Sequence, residues 1–484
     1  MLFTEPTFLF GFLPVLLAIY YLTPLRGRNA LLVVASVLFY ARDGGAFTWL
    51  ILASIIVNTL AAVWIDRVRD TPAAKRVLVA IVALNLLSLG TFKYSGFFVE
   101  NINLAFGAAG KAPLVAPELL LPIGISFFTF HSISYIVDVY RRQAVAQKGP
   151  VGAALYLLFF PQLIAGPIIR YKDIAAQIAA RRHTTSGFAL GVRRFIIGLA
   201  KKLLVAGMVA RPADAIFGMA PGELTAAHAW LGVACYTLQI YFDFSGYSDM
   251  AIGLGHMFGF TFPENFRYPY VATSVQDFWK RWHISLSSWF RDYLYIPLGG
   301  SRRSPARVYL NLTLVFFLCG LWHGASWTFV IWGLLHGLFL VVERLGMGAR
   351  LAQAPRVIGW SYTILVVMVG WVFFRADSAA HGWSVLAAMA GWGAAQPTAF
   401  SAAWYLTPEL LLAATAGLIG STPIVPTLAQ IATRREPLGG GDGAGREVGI
   451  PWAMGVAMAL TVLLVASMTQ VAAGSFSPFI YFRF

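Results

Sequence analysis

The chain has 484 residues, of which 58% are hydrophobic and only 12% are charged. A soluble domain carries about 25% charged residues, so this sequence cannot clothe a water-facing surface and its solvent is a bilayer. The net charge of +15 would suggest nucleic acid in a soluble protein. Here the basic residues stand in short clusters between apolar runs, the positive-inside pattern of a membrane protein, and nucleic acid is not expected as a partner.

A spanning helix needs ~20 mainly apolar residues. The windows that reach or approach this are, in order, Phe8–Leu22, Phe47–Ile65, Val77–Phe92, Leu119–Val137, Trp327–Val342, Val357–Phe374, the short Leu406–Ile419 and Pro451–Val471. With the interrupted runs between them, they predict an all-α polytopic membrane protein of roughly 11 to 14 membrane segments, some broken or re-entrant. Arg26/Arg28, Arg67/Arg69/Lys75/Arg76, Arg141/Arg142, Arg302/Arg303 and Arg434/Arg435 read as cytoplasmic. The first run precedes Arg26, which places the N-terminus outside. No basic stretch precedes that run and no small-residue cleavage site follows it, so it reads as an anchor and not a removed signal.

No repeat of fixed period and no soluble domain is visible, so residues 1–484 are expected to form one membrane domain. The glycine-rich "TRREPLGGGDGAGRE", 433–447, reads as a flexible cytoplasmic loop. The tail 473–484 then lies on the outer side or folds back into the membrane. Cys235 and Cys319 offer neither a disulfide framework nor metal-ligand spacing, and no metal is expected.

The segment Thr273–Tyr295 reads differently. Ser274 and Asp277 fit a capping pattern. Phe278, Trp282, Leu286, Trp289 and Tyr293 then recur at helical spacing, predicting one amphipathic helix along the interface or at a cavity mouth. Its cations, Lys280, Arg281 and Arg291 with Arg302 and Arg303 beyond, either bind anionic lipid or draw a phosphate-bearing substrate to a cytosolic mouth. His283 is grouped with them.

"LCGLWHGASW" sets His323 inside a very apolar stretch. The plain reading is a structural histidine bonded to a carbonyl. Ionisable side chains at membrane depth are costly, however, and mark function by default. A ring withdrawn from water stays neutral, as a general base must be. Gly320 and Gly324 let a substrate or another helix approach closely. His336 repeats the pattern in "IWGLLHGLFL". Two histidines without Cys, Asp or Glu at ligand spacing make a poor metal site. In "YFDFSGYSDMAIGLG", Asp243 and Asp249 stand beside Ser245, Tyr247 and Ser248. Buried carboxylates must be paired or hydrogen-bonded, either as a network between helices or as a polar wall of a tunnel. Asn265 and Trp322 join that candidate wall. The ending "FSPFIYFRF" is either an aromatic anchor at the interface or a means of presenting the Tyr481 phenol to the site.

The runs "FLFGFLPVLLAIYYL", "LPIGISFFTFHSISYIVDVYR", "FFPQLIAGPIIR", "YFDFSGYSDMAIGLG", "ENFRYPY", "FWKRWHISLSSWFRDYLYIPLGG", "GLWHGASWTFVIWGLLHG" and "FIYFRF" together resemble the membrane-bound O-acyltransferase family, in the branch that O-acetylates envelope polymers such as alginate. The resemblance runs nearly end to end, with core motifs over 119–345; Gln396–Pro451 departs from it. It implies a funnel of helices with a tunnel across the bilayer, His323 as the signature histidine and His336 as a second histidine of the branch. The implied activity is acetyl transfer from cytosolic acetyl-CoA, with no bound cofactor, across the bacterial inner membrane. A separate periplasmic SGNH-type or similar transferase would complete transfer to an exopolysaccharide. Alginate, cellulose and peptidoglycan all remain open as the polymer. Chemically, a thioester is already activated, since a thiol of pKa ~8.5 leaves readily; what it needs is an oxygen nucleophile stripped of its proton. A phenol, with pKa ~10, is more acidic than a sugar hydroxyl, so Tyr481 would serve as an acyl relay. A transporter for an envelope precursor would also hold intramembrane polar residues, but the inverted repeats common in transporters are not visible. A scaffold that recruits the soluble transferase is a further reading.

Overall fold

The computed structural model describes residues 1–117, 119–393, 400–434 and 450–474. Among the described residues the chain is helical throughout, without strands. The first third holds α1 (Leu13–Leu22), α2 (Arg28–Gly44), α3 (Phe47–Arg67), α4 (Pro72–Ala108) and α5 (Ile125–Tyr140). Short elements follow: α6 (Pro150–Leu158), α7 (Phe160–Leu163) and α8 (Tyr171–Ala179). Next come α9 (Thr185–Ala200), which runs through a π-helical stretch, Lys201–Ala206, into α10 (Gly207–Phe217), and the long α11 (Ala226–Met257). After α12 (Val275–Trp279) and α13 (Ile284–Phe290) come the hairpin α14 (Pro305–His323) and α15 (Trp327–Val342), then α16 (Gly348–Gln353), α17 (Arg356–Arg375) and α18 (Ala379–Met389). The last elements are α19 (Pro408–Gly420), α20 (Ile424–Arg434) and α21 (Ile450–Ala472).

Six of these helices are long and apolar enough to cross a membrane: α3, α4, α14, the stretch Trp327–Gln353, α17 and Trp452–Ala472. A seventh is obtained if α19 and Ile424–Ile431, bent by 65° to each other, are taken as one broken span. The protein is therefore a multi-pass membrane protein. The remaining predicted segments are shorter or interrupted helices. The window Leu119–Val137 starts as a helix only at Ile125, after Gly124 with φ of 74°. The spanning helix α14 is absent from the apolar windows because Arg307 and Asn311 interrupt its first half.

The interior is built from α5 and α11, whose residues are buried nearly end to end. Helices α9 and α11 touch backbone to backbone: a Cβ on Gly246 would stand 2.7 Å from the Gly198 carbonyl oxygen, and one on Gly253 2.6 Å from that of Gly191. In a bilayer, where hydrophobicity does not drive helices together, such small-residue seams do. The broken stretch 159–170 is wholly buried apart from its last residue, so its irregular backbone is shielded from lipid, as it must be. The glycine-rich stretch lies outside the described residues from 435 to 449, and the aromatic tail does so from 475.

Candidate functional site

The predicted amphipathic helix over 273–295 is broken. Ser274 caps α12, accepting the Asp277 amide at 3.0 Å, as the sequence implies. The chain then turns at His283, which adopts a left-handed backbone (φ 42°) and restarts as α13. Phe278, Trp279, Trp282, Leu286, Trp289 and Phe290 are all buried, so this is an internal helix–break–helix and not a helix lying on an interface. Asn265 makes the break. Its carbonyl takes the Ile284 amide at 2.9 Å, and its Oδ1 takes the Ser285 amide at 3.2 Å and the Ser285 hydroxyl at 2.8 Å.

That bonding fixes the histidine. Because Asn265 Oδ1 accepts from a backbone N–H, the His283 Nδ1 facing it at 3.1 Å must be the donor. The proton therefore sits on Nδ1, and Nε2 carries a bare lone pair. Nε2 is buried and has no hydrogen-bond partner among the described residues. The sequence pattern groups His283 with the cations of a substrate mouth; the residue is fully buried and cannot serve there.

His323 ends α14. Gly324 is extended and stops the helix, and Ser326 caps the start of α15. The hairpin closes tightly because a Cβ on Gly320 or Gly333 would stand 2.3 Å from a carbonyl oxygen of the other helix. The expected close approach is thus by a helix. The His323 ring is buried, with ring centroids of Trp322 at 4.8 Å, Trp332 at 5.0 Å and Phe374 at 5.2 Å. His283 is a further ring beside it among the described residues, at 6.5 Å. The structure thus brings together two histidines 40 positions apart, among buried aromatic rings.

His336 stands one layer away. It shares the Trp332 ring with His323, and its Nδ1 accepts from Trp279 Nε1 at 3.3 Å. Its tautomer is therefore the reverse of that of His283, with the proton on Nε2. Nε2 has no partner among the described residues and points at Gly370, whose Cβ would stand 3.0 Å away.

Trp279 also lines a cavity of about 380 Å³, with Lys280, Arg291, Ser287, Ser288, Phe316 and Cys319 among others. Lys280 and Arg291 both line this cavity. The other predicted cations do not. Arg281 pairs with Asp277. Arg302 and Arg303 are exposed before the start of α14, and a 19-residue helix at ~1.5 Å per residue puts them about 27 Å from His323.

The acidic pair belongs to a different structure. Asp249 pairs with Arg194 and Lys201, both at 2.7 Å, Arg194 also pairs with Glu264, and Asp243 pairs with Lys202. These contacts tie α9 and the π-helical stretch to α11, which is the helix-to-helix network of the two sequence readings. Ser248 accepts from Asn265 Nδ2 at 2.9 Å and joins the network to the histidine break. Ser245 and Tyr247 are buried, Tyr247 stacked on Phe3 at 4.6 Å. Tyr481 lies outside the described residues. No group of three or more metal-ligating side chains occurs among the described residues.

Sequence patterns alone do not single out Lys93 and Tyr94. They donate to the terminal carbonyls of α14: Lys93 to Trp322 and, at 3.2 Å, to His323; Tyr94 to Leu321 at 2.8 Å. A lysine closing an apolar run is the available signal, since a cation at membrane depth is costly.

The membrane-bound O-acyltransferase family profile matches residues 122–385, which contain both His283 and His323. The protein named Probable alginate O-acetylase AlgI of Azotobacter vinelandii is 42% identical over all of both chains. The Peptidoglycan O-acetyltransferase of Helicobacter pylori is 38% identical over 81% of this chain and 80% of its own. The Teichoic acid D-alanyltransferase of Bacillus subtilis is 30% identical over 46% of this chain and 59% of its own. The chain belongs to the membrane-bound O-acyltransferase family.

Proposed function

We propose that this membrane O-acyltransferase takes acetyl from cytosolic acetyl-CoA and passes it across the bacterial inner membrane to hydroxyls of an exopolysaccharide such as alginate. The observation that carries the chemistry is the buried His283–His323 pair among aromatic rings, with the lone pair of His283 Nε2 left open by the bond at Nδ1. One histidine removes the proton of the acceptor hydroxyl as its oxygen attacks the thioester carbon. The C–O bond forms, the C–S bond breaks, and the coenzyme A thiolate takes a proton as it leaves. His336 supports the pair by holding Trp279 and Trp332 between the cavity and His323.

The donor reading rests on the cavity beside α14, where Lys280 and Arg291 would hold phosphates at the mouth while the acyl end passes Trp279. The polymer reading rests on the relatives, two of which carry names for acetyl transfer to a polymer. The first acceptor of acetyl is Tyr481, whose aryl ester hands the group on to a periplasmic SGNH-type transferase. The N-terminus lies on that outer side. Incubation with labelled acetyl-CoA and peptide mapping tests this reading. Label on Tyr481, lost in His323→Ala, is expected. Full polymer acetylation by Tyr481→Phe would remove the relay, and full acetylation by His323→Ala would remove the chemistry. A transporter would lack acetyl-CoA-dependent labelling altogether.

A further inference from the structure

We propose that Lys93 is a positioning residue of the reacting centre: it ties down the last turn of α14 and offsets the negative end of that helix beside His323. The inference rests on reading His323 as part of the acyl-transfer machinery.

The last four carbonyls of an α-helix have no partner within it. In α14 these are the carbonyls of Gly320, Leu321, Trp322 and His323, and each has a named donor. Gly320 accepts from the Gly324 amide at 3.3 Å. Leu321 accepts from the Tyr94 hydroxyl, and both Trp322 and His323 accept from Lys93 Nζ. The Ser126 hydroxyl, at 3.4 Å, is a third acceptor around Nζ, so the three N–H bonds of an ammonium group are matched by three oxygens. Nζ also lies 5.9 Å over the Trp322 ring, a cation–π distance.

Charge gives this contact its meaning. A helix C-terminus carries about −0.5 of an elementary charge. Acyl transfer builds an oxyanion at the thioester carbonyl, and a negative helix end beside it opposes that step. It also favours a protonated imidazole where a neutral base is required. An ammonium group bonded to the same carbonyls offsets both effects.

Among the described residues neither ion pairing nor packing accounts for the lysine. Among the described residues no carboxylate pairs with Lys93; the oxygens around its Nζ are the carbonyls of Trp322 and His323 and the Ser126 hydroxyl. Helix α4 has only Ala74, Asn85 and Leu89 fully buried. It faces outward for most of its length, and packing alone gives no reason to turn a cation inward at its midpoint.

The test compares Lys93→Arg, Lys93→Gln and Lys93→Met in the full-length protein, with His323→Ala alongside, all in detergent at matched monodisperse amounts. The readouts are kcat and KM for acetyl-CoA. Lys93→Arg is expected to stay within a few-fold of the parent. Lys93→Gln keeps a donor but no charge, and is expected to lose at least about tenfold in kcat with KM nearly unchanged; Lys93→Met is expected to lose more. If Lys93→Met does not accumulate, the Arg and Gln variants decide. Parental kcat in Lys93→Gln, or a KM that rises as kcat falls, overturns the proposal while His323→Ala remains inactive. An active His323→Ala overturns the functional reading as well, which separates the two failures.

Discussion

Two buried polar clusters sit inside this apolar chain, and they follow opposite rules. Between α9 and α11 the carboxylates have cations: Asp249 has Arg194 and Lys201, and Asp243 has Lys202. Around the end of α14, two imidazole nitrogens, His283 Nε2 and His336 Nε2, are buried without a protein partner among the described residues. Leaving a buried polar atom unpaired costs about 1–3 kcal/mol. The charged groups of the first cluster are paired, and these two nitrogens of the second are not. The first cluster joins helices; the second is the one to which the proposed mechanism assigns the chemistry.

Substitutions should separate the two. The largest effect on turnover is expected from His323→Ala, a drop of about 10²–10⁴-fold with unchanged membrane insertion, read as acetyl-CoA-dependent transfer. Asn265→Ala should follow, with a loss of at least about tenfold, because the tautomer of His283 and the break at 283 both depend on Asn265. Arg194→Met should act the other way round. It leaves Asp249 with Lys201 alone and strips Glu264 of its partner, which should lower stability by up to about 3 kcal/mol. Thermal unfolding would show that loss, while turnover per folded molecule stays near parental. Equal turnover losses in Arg194→Met and His323→Ala would erase the distinction between the clusters.

Smaller effects belong to the rim. Lys280→Ala with Arg291→Ala should raise KM for acetyl-CoA several-fold, less so in high salt, and leave kcat alone. Asp292 gives the smallest signal. Burial pushes its carboxyl up, but the Arg291 hydrogen bond and the charges of Arg291, Arg170 and Lys172 outweigh this and leave it below the usual carboxylate range. A folded-state value below the unfolded one contributes stability above about pH 4, which is lost as pH falls further. Asp292→Asn should flatten the acid limb of a stability-against-pH curve.

Much of the fold is readable because apolar length is a direct physical requirement of a bilayer. Helices α3, α15 and α17 fall where the apolar windows lie. Helix α14 does not, since its first half carries Arg307 and Asn311 in a protein where polar residues can face inward. His323 is legible for the same reason in reverse, as an ionisable group in an apolar run. His283 is not: the stripe Phe278, Trp282, Leu286, Trp289 and Tyr293 has the period of one continuous helix, and bonds from Asn265, with one from the Arg267 amide to the Arg281 carbonyl, hold the break. A pattern of spacing records local preference, and a side chain 18 positions away in sequence overrides it. Lys93 and Tyr94 act on carbonyls more than 220 positions distant, a contact no local pattern contains.

The central claim is that His283 and His323 act as one unit. Its most direct test is a double-mutant cycle on turnover of the purified protein with labelled acetyl-CoA, using His283→Gln, His323→Ala and the pair. The account predicts that each single variant is severely impaired and that the double variant is no worse than the weaker single one. Losses that multiply in the double variant, or a single variant with parental turnover, would contradict it.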